Sequence, residues 1–374
     1  MSRFAIDVTA CWRPQRVGML TVAVELARAL VGGRGRAERK PGAPSNDEFT
    51  LLCSRERPAA LADLECEAVL APYRHEVLLK ARWLPMVEPQ LDCDAILYPY
   101  WPSPPRRRRG APPAAIFVHD LAFRLRPGEV PWQQRAYFGT VLGPALRQAA
   151  AVVVPTETTR RDLLAAYPVA GLDERVTVIP YGFRALAAAG SLPDGIRPGF
   201  ILAVGTIEPR KNYPRLLAAY RLLRSRGSAP QLVIAGRPGW AYGDTLERIN
   251  SEPGVCYLGH VDEPTLAALY ENASVLALPS LYEGFGLPLL EAMARGVPAV
   301  IGKTGALPEL AGGTAVEVDP EDVEAIAGAL ERVLSDAVLR KKLGEDGKKR
   351  AAAFTWDRAA AETVEVLRRI ASAA

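Results

Sequence analysis

Two carboxylates in the second half of the chain lie in a segment whose local signals agree with one another. The segment reads LPSLYEGFGLPLLEAMARG and places Glu283 and Glu291 with seven residues between them. Gly284 and Gly286 allow the backbone to approach a ligand closely, and Pro288 suits the first turn of a helix. The pattern predicts Glu283 in a loop and Glu291 in the first turns of the helix that follows.

A loop that leads into a helix N-terminus is suited to binding a phosphate, because backbone amides and the helix dipole attract an anion. Two carboxylates beside that phosphate would repel it, so they need another role. Hydroxyl groups on either side of a diphosphate would donate hydrogen bonds to them. A nucleotide sugar has this layout of sugar, diphosphate and ribose, and the pair indicates such a ligand.

A basic pair follows another predicted strand, Phe200–Val204, in the segment GTIEPRKNYP. Asn212 is a favoured N-cap residue, so the next helix is predicted to begin there. Arg210 and Lys211 would then lie beside a helix N-terminus at the carboxyl end of a strand. Preorganised cations at that place would stabilise negative charge developing on a leaving phosphate.

In the first half, the predicted strand Ala114–Val118 runs directly into His119 and Asp120. A residue at the carboxyl end of a strand in an open α/β sheet faces the edge where ligands bind. The ring of His119 could donate a hydrogen bond there to a sugar hydroxyl or a phosphate oxygen. A structural role for this histidine is the open alternative.

Short apolar runs alternate with helical stretches along the whole chain and predict the elements that position these residues. The runs are continuous, as expected of strands buried on both faces of a parallel sheet. In the first half they are Phe4–Val8, Phe49–Cys53, Ala95–Tyr98, Ala114–Val118, Ala151–Val154 and Val176–Ile179. In the second half they are Phe200–Val204, Gln231–Ala235, Val255–Leu258, Val275–Leu278, Ala299–Ile301 and Ala315–Val318. Repeated βα units of this kind predict an α/β protein with two doubly wound parallel sheets in series.

The length of 374 residues corresponds to about two domains. Residues 1–183 are predicted to form an N-terminal, acceptor-side Rossmann-like domain, and residues 199–355 a C-terminal Rossmann-like domain that binds the nucleotide sugar. Residues 184–198, rich in Ala, Gly and Pro, are the predicted linker. Residues 356–374 are predicted to form an amphipathic helix that could pack back on the N-terminal domain.

Composition excludes several classes of protein. A hydrophobic content of 49%, a charged content of 24% and a mean hydropathy of +0.02 argue against disorder and coiled coil. No run of 18 apolar residues and no signal peptide are evident, so a cytoplasmic protein is expected. Five scattered cysteines and three histidines leave little for a zinc site. The DCD motif at 92–94 precedes a predicted strand and is not expected to bind a metal.

The net charge of +4 is unevenly distributed. The first 183 residues hold 24 Lys and Arg against 19 Asp and Glu, which suggests contact with something anionic but is too small an excess to predict nucleic-acid binding. Two features there could contact an anionic or lipid-linked acceptor: the segment HEVLLKARWL at 75–84 and the run Arg106–Arg109. A core-facing helix and a solvated loop are the alternative.

The setting SLYEGFGLPLLEAMA of the two glutamates resembles the E-x7-E signature of the retaining family 4 glycosyltransferases, group 1, of GT-B fold. The HD dipeptide at 119, VIPYG before the linker and GTIEPRKN extend the resemblance over nearly the whole chain. The resemblance implies two Rossmann-like domains facing each other across a cleft. It implies that Glu283 contacts hydroxyls of the donor sugar and that Glu291 holds the ribose hydroxyls. Arg210 and Lys211 would bind the diphosphate.

The same resemblance assigns further residues to the site. His119 would lie near the donor sugar and the point of attack. The residues that would bind the donor are Gly18, Gly205, Thr206, Gly284, Phe285, Gly286 and Leu287. Thr206 departs from the family pattern, since many relatives carry Arg directly after the glycine, and only Gly18 is kept of a glycine pair common in relatives.

The implied function is the retaining transfer of a hexose from a nucleotide diphosphate sugar to an acceptor hydroxyl, in cell-surface glycan or glycolipid synthesis. The EPRKN form of the segment favours a mannosyltransferase, so GDP-mannose is the expected donor. No cofactor and no metal ion are expected, because basic side chains and helix N-termini supply the positive charge. Expected partners are the nucleotide-sugar donor and a sugar, lipid-linked or other hydroxyl acceptor.

A protein with this function could contact the inner membrane surface peripherally. Nucleic acid is not an expected partner. Two alternatives stay open. A nucleotide-sugar epimerase can use a similar two-domain fold, and it would form product without an acceptor. A non-catalytic, donor-binding partner subunit would bind the donor without turnover.

Overall fold

The structure is a computed structural model that describes residues 1–12, 18–32, 47–100, 103–183, 188–227, 229–240 and 243–373, apart from the side chain of Glu76. Its internal contacts divide the chain into two compact units. The first unit comprises Met1–Leu121, Ala136–Gly182 and Phe354–Ala374, and the second comprises Ala122–Arg135 and Phe183–Ala353.

The first unit is built on a parallel sheet. Its strands are β1 (Arg3–Asp7), β2 (Glu48–Cys53), β3 (Glu67–Leu70), β4 (Ala95–Tyr98), β5 (Ala114–Phe117), β6 (Ala151–Val154) and β7 (Val176–Val178). They are arranged in the order β3-β2-β1-β4-β5-β6-β7, with every neighbouring pair parallel. The order reverses beside β1, as in a doubly wound sheet.

The second unit repeats this plan. Its strands are β8 (Phe200–Val204), β9 (Leu232–Ala235), β10 (Val255–Gly259), β11 (Ala273–Leu278), β12 (Ala299–Gly302) and β13 (Val316–Val318). Their order is β10-β9-β8-β11-β12-β13, again with every neighbouring pair parallel. The fold class predicted from the sequence is confirmed: the chain consists of two doubly wound parallel sheets with helices, as in the GT-B fold.

Helices connect the strands of both units. They are α1 (Gly18–Gly32), α2 (Glu76–Leu78), α3 (Leu84–Val87), α4 (Ala122–Leu125), α5 (Trp132–Gln148), α6 (Glu157–Ala166), α7 (Leu172–Arg175), α8 (Tyr213–Ser225), α9 (Thr245–Ser251), α10 (Glu263–Asn272), α11 (Leu287–Arg295), α12 (Leu307–Ala311), α13 (Val323–Ser335), α14 (Ala337–Ala351) and α15 (Trp356–Ser372). A π-helical stretch, Leu79–Trp83, joins α2 to α3. Short 3-10 turns are Ala59–Leu61, Glu88–Gln90, Pro127–Glu129 and Pro209–Lys211. None of the helices described here is long and apolar enough to cross a membrane.

The strands form where the sequence places continuous apolar runs. Every residue of β4, β5, β6, β9 and β12 is buried, because helices cover both faces of each sheet. All twelve predicted strands are present within one or two residues of their predicted ends. The prediction missed β3, an edge strand with the short sequence EAVL whose residues are exposed or half-buried.

Residues 122–135 were predicted to belong to the N-terminal domain, 1–183. In the structure they belong to the second unit. Two long-range hydrogen bonds hold them there. Arg126 Nη2 donates to the carbonyl of Leu281 over 3.2 Å, and Trp240 Nε1 donates to the carbonyl of Glu129 over 3.0 Å.

Candidate functional site

The carboxylate of Glu283 lies between the two predicted cations of the second unit. Arg210 Nη1 is 2.7 Å from Glu283 Oε2, and Lys211 Nζ is 2.5 Å from Glu283 Oε1. Ser280 Oγ donates to the same Oε1 over 2.8 Å. Arg210 Nε also pairs with Glu208 Oε1 at 2.5 Å. The two motifs, separated by more than seventy residues in the sequence, therefore form one ionic cluster.

Charge neutralisation holds this cluster together. Burial by itself would raise the pKa of Glu283, which is 5% exposed, but the charges of Lys211 and Arg210 outweigh burial and lower that pKa from 4.5 to about 2. Glu283 is therefore ionised at any physiological pH. An anion that replaced it would find two cations already in place.

The loop after β8 delivers the cations by a turn that differs from the prediction. Asn212 occupies the N-cap position of α8, but its φ is 60° and its side chain makes no capping hydrogen bond. Instead its Nδ2 donates to the carbonyls of Pro279 and Pro320, at 3.0 and 2.6 Å. The predicted start of α8 at Asn212 is confirmed, but the side chain makes no capping bond, because its Oδ1 accepts from Arg215 Nη1 over 3.1 Å. Asn212 thus fixes the basic turn against the loop of Glu283.

Backbone contacts set the distance between the two loops. The Leu281 amide donates to the Arg210 carbonyl over 2.7 Å. Gly205 has a φ of 148° and lies against Lys211, whose Cε would be 3.1 Å from a Cβ at this position. Thr206 follows Gly205 and is half-buried. The predicted backbone role of Gly205 stays a prediction, and its immediate structural role is to make room for Lys211.

The glycine-containing loop before α11 has the geometry of an open helix start. Gly284, Phe285 and Gly286 are buried and Leu287 is half-buried. Gly286 is the N-cap residue with a φ of 112°, and no side chain in the described part of the chain caps the helix. A Cβ on Gly286 would lie 2.7 Å from a methyl of Leu307, so the position requires glycine both for its backbone conformation and for space. These features suit the predicted anion site, while contact with a donor stays a prediction.

Glu291 lies on α11 and is partly buried. Tyr270, on α10, donates a hydrogen bond from its hydroxyl to Glu291 Oε2 over 2.9 Å. Burial raises the pKa of Glu291 to about 7, and the hydrogen bond from Tyr270 offsets part of that effect. The carboxyl group therefore changes its protonation in the physiological range, unlike Glu283.

His119 follows β5 in the first unit and is 6% exposed. Its Nε2 is 2.9 Å from the carbonyl of Pro99 and its Nδ1 is 2.6 Å from the hydroxyl of Tyr181. A carbonyl can only accept, so Nε2 carries the proton and Nδ1 accepts from Tyr181. Burial lowers the pKa of His119 to about 4, so the ring is neutral. Its predicted contact with a sugar stays a prediction, and it would require Nε2 to exchange its carbonyl partner.

Gly18 begins α1 with a φ of 24° and is exposed, and residues 13–17 of the predicted loop lie outside the described residues. The two carboxylates of the DCD motif are engaged within the protein. Arg3 pairs with Asp92, and the Arg3 backbone amide donates to Asp94 over 2.8 Å. Across the described residues no group of three or more His, Cys, Asp and Glu side chains is placed to hold a metal ion.

Sequence reasoning missed three side chains that hydrogen-bond predicted site residues within their own unit. Ser280 hydrogen-bonds Glu283, Tyr270 hydrogen-bonds Glu291, and Tyr181 fixes the ring of His119. Ser280 lies three residues before Glu283, a spacing that could have suggested a local bond. The two tyrosines come from distant parts of the chain and carry no local signal.

Comparison with known proteins shows the family of this chain. The model described as Glycosyltransferase Family 4 matches residues 41–185, and the model described as Glycosyl transferases group 1 matches residues 195–350. D-inositol 3-phosphate glycosyltransferase of Jonesia denitrificans is 30% identical over 290 residues, covering 70% of this chain and 67% of that protein. The chain belongs to the group 1 glycosyltransferases of family 4.

Two further relatives of this family member are mannosyltransferases by name. O-antigen chain mannosyltransferase B of Escherichia coli is 39% identical over 171 residues, 44% of this chain and 45% of that protein. MMP alpha-(1->4)-mannosyltransferase of Mycolicibacterium hassiacum is 34% identical over 273 residues, 68% of this chain and 64% of that protein. The matched region spans less than two thirds of the length of both.

Solved structures resemble the chain over its whole length. Sucrose-phosphate synthase from Thermosynechococcus elongatus has a TM-score of 0.75 at 20% identity, with 100% of both chains covered. Anabaena HepE, solved in complex with UDP and glucose, has a TM-score of 0.69 at 16% identity and covers 99% of this chain and 100% of its own. At these identities the likeness establishes the GT-B fold.

Proposed function

We propose that the chain is a retaining hexosyltransferase that transfers mannose from GDP-mannose to an acceptor hydroxyl. The observation that carries this proposal is the cluster of Glu283 with Arg210 and Lys211 beside the open N-terminus of α11. Mannose as the sugar is supported by the names of the two mannosyltransferase relatives. UDP and glucose in the related HepE structure support a nucleotide-sugar donor.

Departure of the diphosphate is the step that this cluster would assist. The bond between the anomeric carbon and the phosphate oxygen breaks, and negative charge develops on the leaving phosphate. Arg210 and Lys211 would stabilise that charge, and preorganised groups of this kind contribute about 3–4 kcal/mol each to the transition state. Glu283 would then release its ion pairs and accept hydrogen bonds from hydroxyls of the sugar.

Retention would follow from attack on the face of the sugar that the diphosphate leaves. The acceptor oxygen forms the new bond to the anomeric carbon, and its proton passes to an oxygen of the leaving phosphate. No residue needs to act as a base in this scheme. His119, neutral and protonated on Nε2, would orient the sugar by donating one hydrogen bond.

Ribose binding is the role proposed for Glu291. Its carboxylate would accept hydrogen bonds from the two ribose hydroxyls, while Tyr270 keeps its own bond to Oε2. The backbone amides of the loop from Gly284 to Leu287 would hold the diphosphate between the two glutamates. Because Arg210 and Lys211 supply positive charge, no metal ion or other cofactor is required by this proposal.

The acceptor side of the proposal concerns the first unit. A sugar or lipid-linked hydroxyl would bind there, and the exposed Val77 and Leu78 offer apolar side chains for peripheral contact with the inner membrane surface. The exposed Arg82 follows them in the sequence and would add a positive charge, as in interfacial helices.

A donor screen tests the proposal. Purified protein is mixed with GDP-, UDP- and ADP-sugars in the presence of EDTA, and nucleotide release and thermal shift are followed. We expect GDP-mannose to stabilise the protein and to be turned over slowly without metal. Replacing Lys211→Ala should reduce release by about 100-fold, whereas the exposed control Lys303→Ala should behave as wild type.

Three outcomes would contradict parts of the proposal. Stabilisation by another nucleotide sugar and not by GDP-mannose would show that the proposed donor is wrong. Nucleotide release that appears only after a divalent cation is added would show that the transfer requires a metal ion. Silence with all donors and acceptor sugars would favour a non-catalytic subunit.

A further inference from the structure

A cavity of about 410 Å³ in the first unit is lined by arginines of the 75–84 segment and of the run Arg106–Arg109. It is formed by the stretch Leu79–Trp83, by α3 and by the loop between β4 and β5. The side chains that matter for its chemistry are Arg82, Pro85, Met86, Arg106, Arg107 and Arg108. Hydrogen bonds and ion pairs beneath the cavity hold both of the segments that form it.

One arginine serves as the anchor of the loop. Arg107 Nε donates to Glu88 Oε2 over 2.9 Å, and Nη2 donates to the carbonyl of Pro112 over 2.5 Å. Its backbone amide donates to Gln148 Oε1 over 2.9 Å. Glu88 is fully buried and also accepts a hydrogen bond from Tyr98. The charge of Arg107 is therefore neutralised, and the loop is held before any ligand binds.

The facing stretch is anchored from the inside in a similar way. Lys80, 2% exposed, forms an ion pair with Asp7, 1% exposed, at the end of β1. Lys80 also lies over the ring of Tyr98, with Nζ 5.2 Å from the ring centroid. Because Lys80 points inward, Arg82 of the same stretch lies on the outer surface, and both Arg82 and Met86 of α3 are exposed.

Three arginine side chains at this cavity have no partner among the described residues. Arg82, Arg106 and Arg108 are exposed, and none of their guanidinium groups forms a hydrogen bond or ion pair with any residue in the part of the chain that the structure describes. Several arginines elsewhere are paired with carboxylates, as the half-buried Arg28 is with Asp63. No carboxylate is among the described residues that line the cavity. Three uncompensated like charges around one concave surface favour an anion.

We propose that this cavity binds a phosphate group, as a monoester or diester, whose apolar neighbour rests on Met86 and Pro85. Guanidinium groups match phosphate oxygens in geometry and donate two parallel hydrogen bonds. The rigid loop lowers the entropic cost of binding. A lipid headgroup and a free phosphate ester share this chemistry. The proposal does not depend on the hexosyltransferase activity.

The run of arginines provides a matched pair of variants for the test. Arg108→Glu changes a cavity residue, and Arg109→Glu changes its exposed neighbour, which does not line the cavity, by the same charge. Binding of inorganic pyrophosphate to the full chain is measured by calorimetry at low salt. We expect Arg108→Glu to weaken one binding event at least about tenfold and Arg109→Glu to change it less than about twofold. Any pyrophosphate site elsewhere contributes equally to both variants.

A second measurement identifies the source of the phosphate. Cosedimentation with phosphatidylcholine vesicles is compared with and without added phosphatidylglycerol. Binding to the anionic vesicles that is lost in Arg108→Glu and kept in Arg109→Glu assigns a lipid headgroup. The same variant pattern with pyrophosphate alone assigns a soluble phosphate ester.

The proposal is overturned if wild type binds neither probe, or if both variants lose binding equally, since that would indicate a diffuse positive field. Thermal unfolding of each variant checks that it is folded. Arg106→Glu replaces Arg108→Glu if the latter does not fold.

Discussion

At the scale of single residues, the two glutamates of the second unit have opposite electrostatic surroundings. Glu283 is paired with Lys211 and Arg210, which lower its pKa to about 2 against the effect of burial. Glu291 is partly buried beside Tyr270 without a directly bonded cation among the described residues, and loss of solvation raises its pKa to about 7. Environments that separate the pKa values of two carboxyls commonly give them different roles.

This difference predicts a pH dependence of donor binding. Glu291 must be ionised to accept hydrogen bonds from both ribose hydroxyls, so nucleotide affinity should fall below pH 7, by up to about tenfold per pH unit. Glu283 stays ionised over that range and adds no pH dependence. Calorimetry with GDP between pH 5.5 and 8.5 measures how the dissociation constant changes.

Control variants separate Glu291 from other groups. Glu291→Gln should bind more weakly and with a flat pH profile, whereas the exposed Glu271→Gln should keep the profile of wild type. The raised pKa also means that the folded chain holds more protons than the unfolded chain between pH 4.5 and 7. The contribution of Glu291 to stability therefore falls as pH rises through this window. A steep profile that survives in Glu291→Gln would assign the titration to another group.

At the scale of elements, the site depends on close approach of loops at the carboxyl ends of parallel strands. Gly236 follows β9 and Gly205 follows β8, and a Cβ on Gly236 would overlap the carbonyl oxygen of Gly205. Gly205 in turn lies against Lys211 and accepts a hydrogen bond from Tyr213 over 2.8 Å. The position of the cation therefore depends on a backbone contact that tolerates no side chain.

The substitution Gly236→Ala should destabilise the second unit by about 3 kcal/mol, because the overlap involves backbone that cannot rotate away. Gly328→Ala is a matched control, since Gly328 lies within α13 with open space around its Cβ. It should stabilise the protein by about 0.5–1 kcal/mol through helix propensity. Urea unfolding of both variants checks the two values. Equal stabilities would mean that β8 and β9 can separate without cost.

At the scale of the whole molecule, the end of the chain completes the first unit. Helix α15 packs against α1, β4 and β5. Thr355 caps it by accepting from the Arg358 amide, and Trp356 stacks on Tyr181 with ring centroids 6.2 Å apart. Leu367 is fully buried in this contact. Residues far apart in sequence therefore share one core, and Tyr181 links that core to His119.

Leu367→Ala should destabilise the first unit by about 2–5 kcal/mol, because it leaves a cavity under the sheet. The exposed Glu365→Ala on the same helix should stay within about 0.5 kcal/mol of wild type. Urea unfolding followed by circular dichroism measures the difference between the two variants. A loss in Leu367→Ala no larger than in Glu365→Ala would show that α15 contributes little.

The sequence by itself determined the two parallel sheets, the ends of most strands and the family, because continuous apolar runs and the glycine and proline signals around Glu283 are local features. It did not predict β3, whose half-buried edge position leaves no periodic signal, nor the role of Asn212, whose amide is used by distant carbonyls. The tertiary structure alone decided that Glu283 neutralises Arg210 and Lys211 and that Glu291 lies against Tyr270. Ion pairs, burial and the pKa values that follow from them depend on which distant segments meet, and that is set by packing rather than by neighbours in the chain.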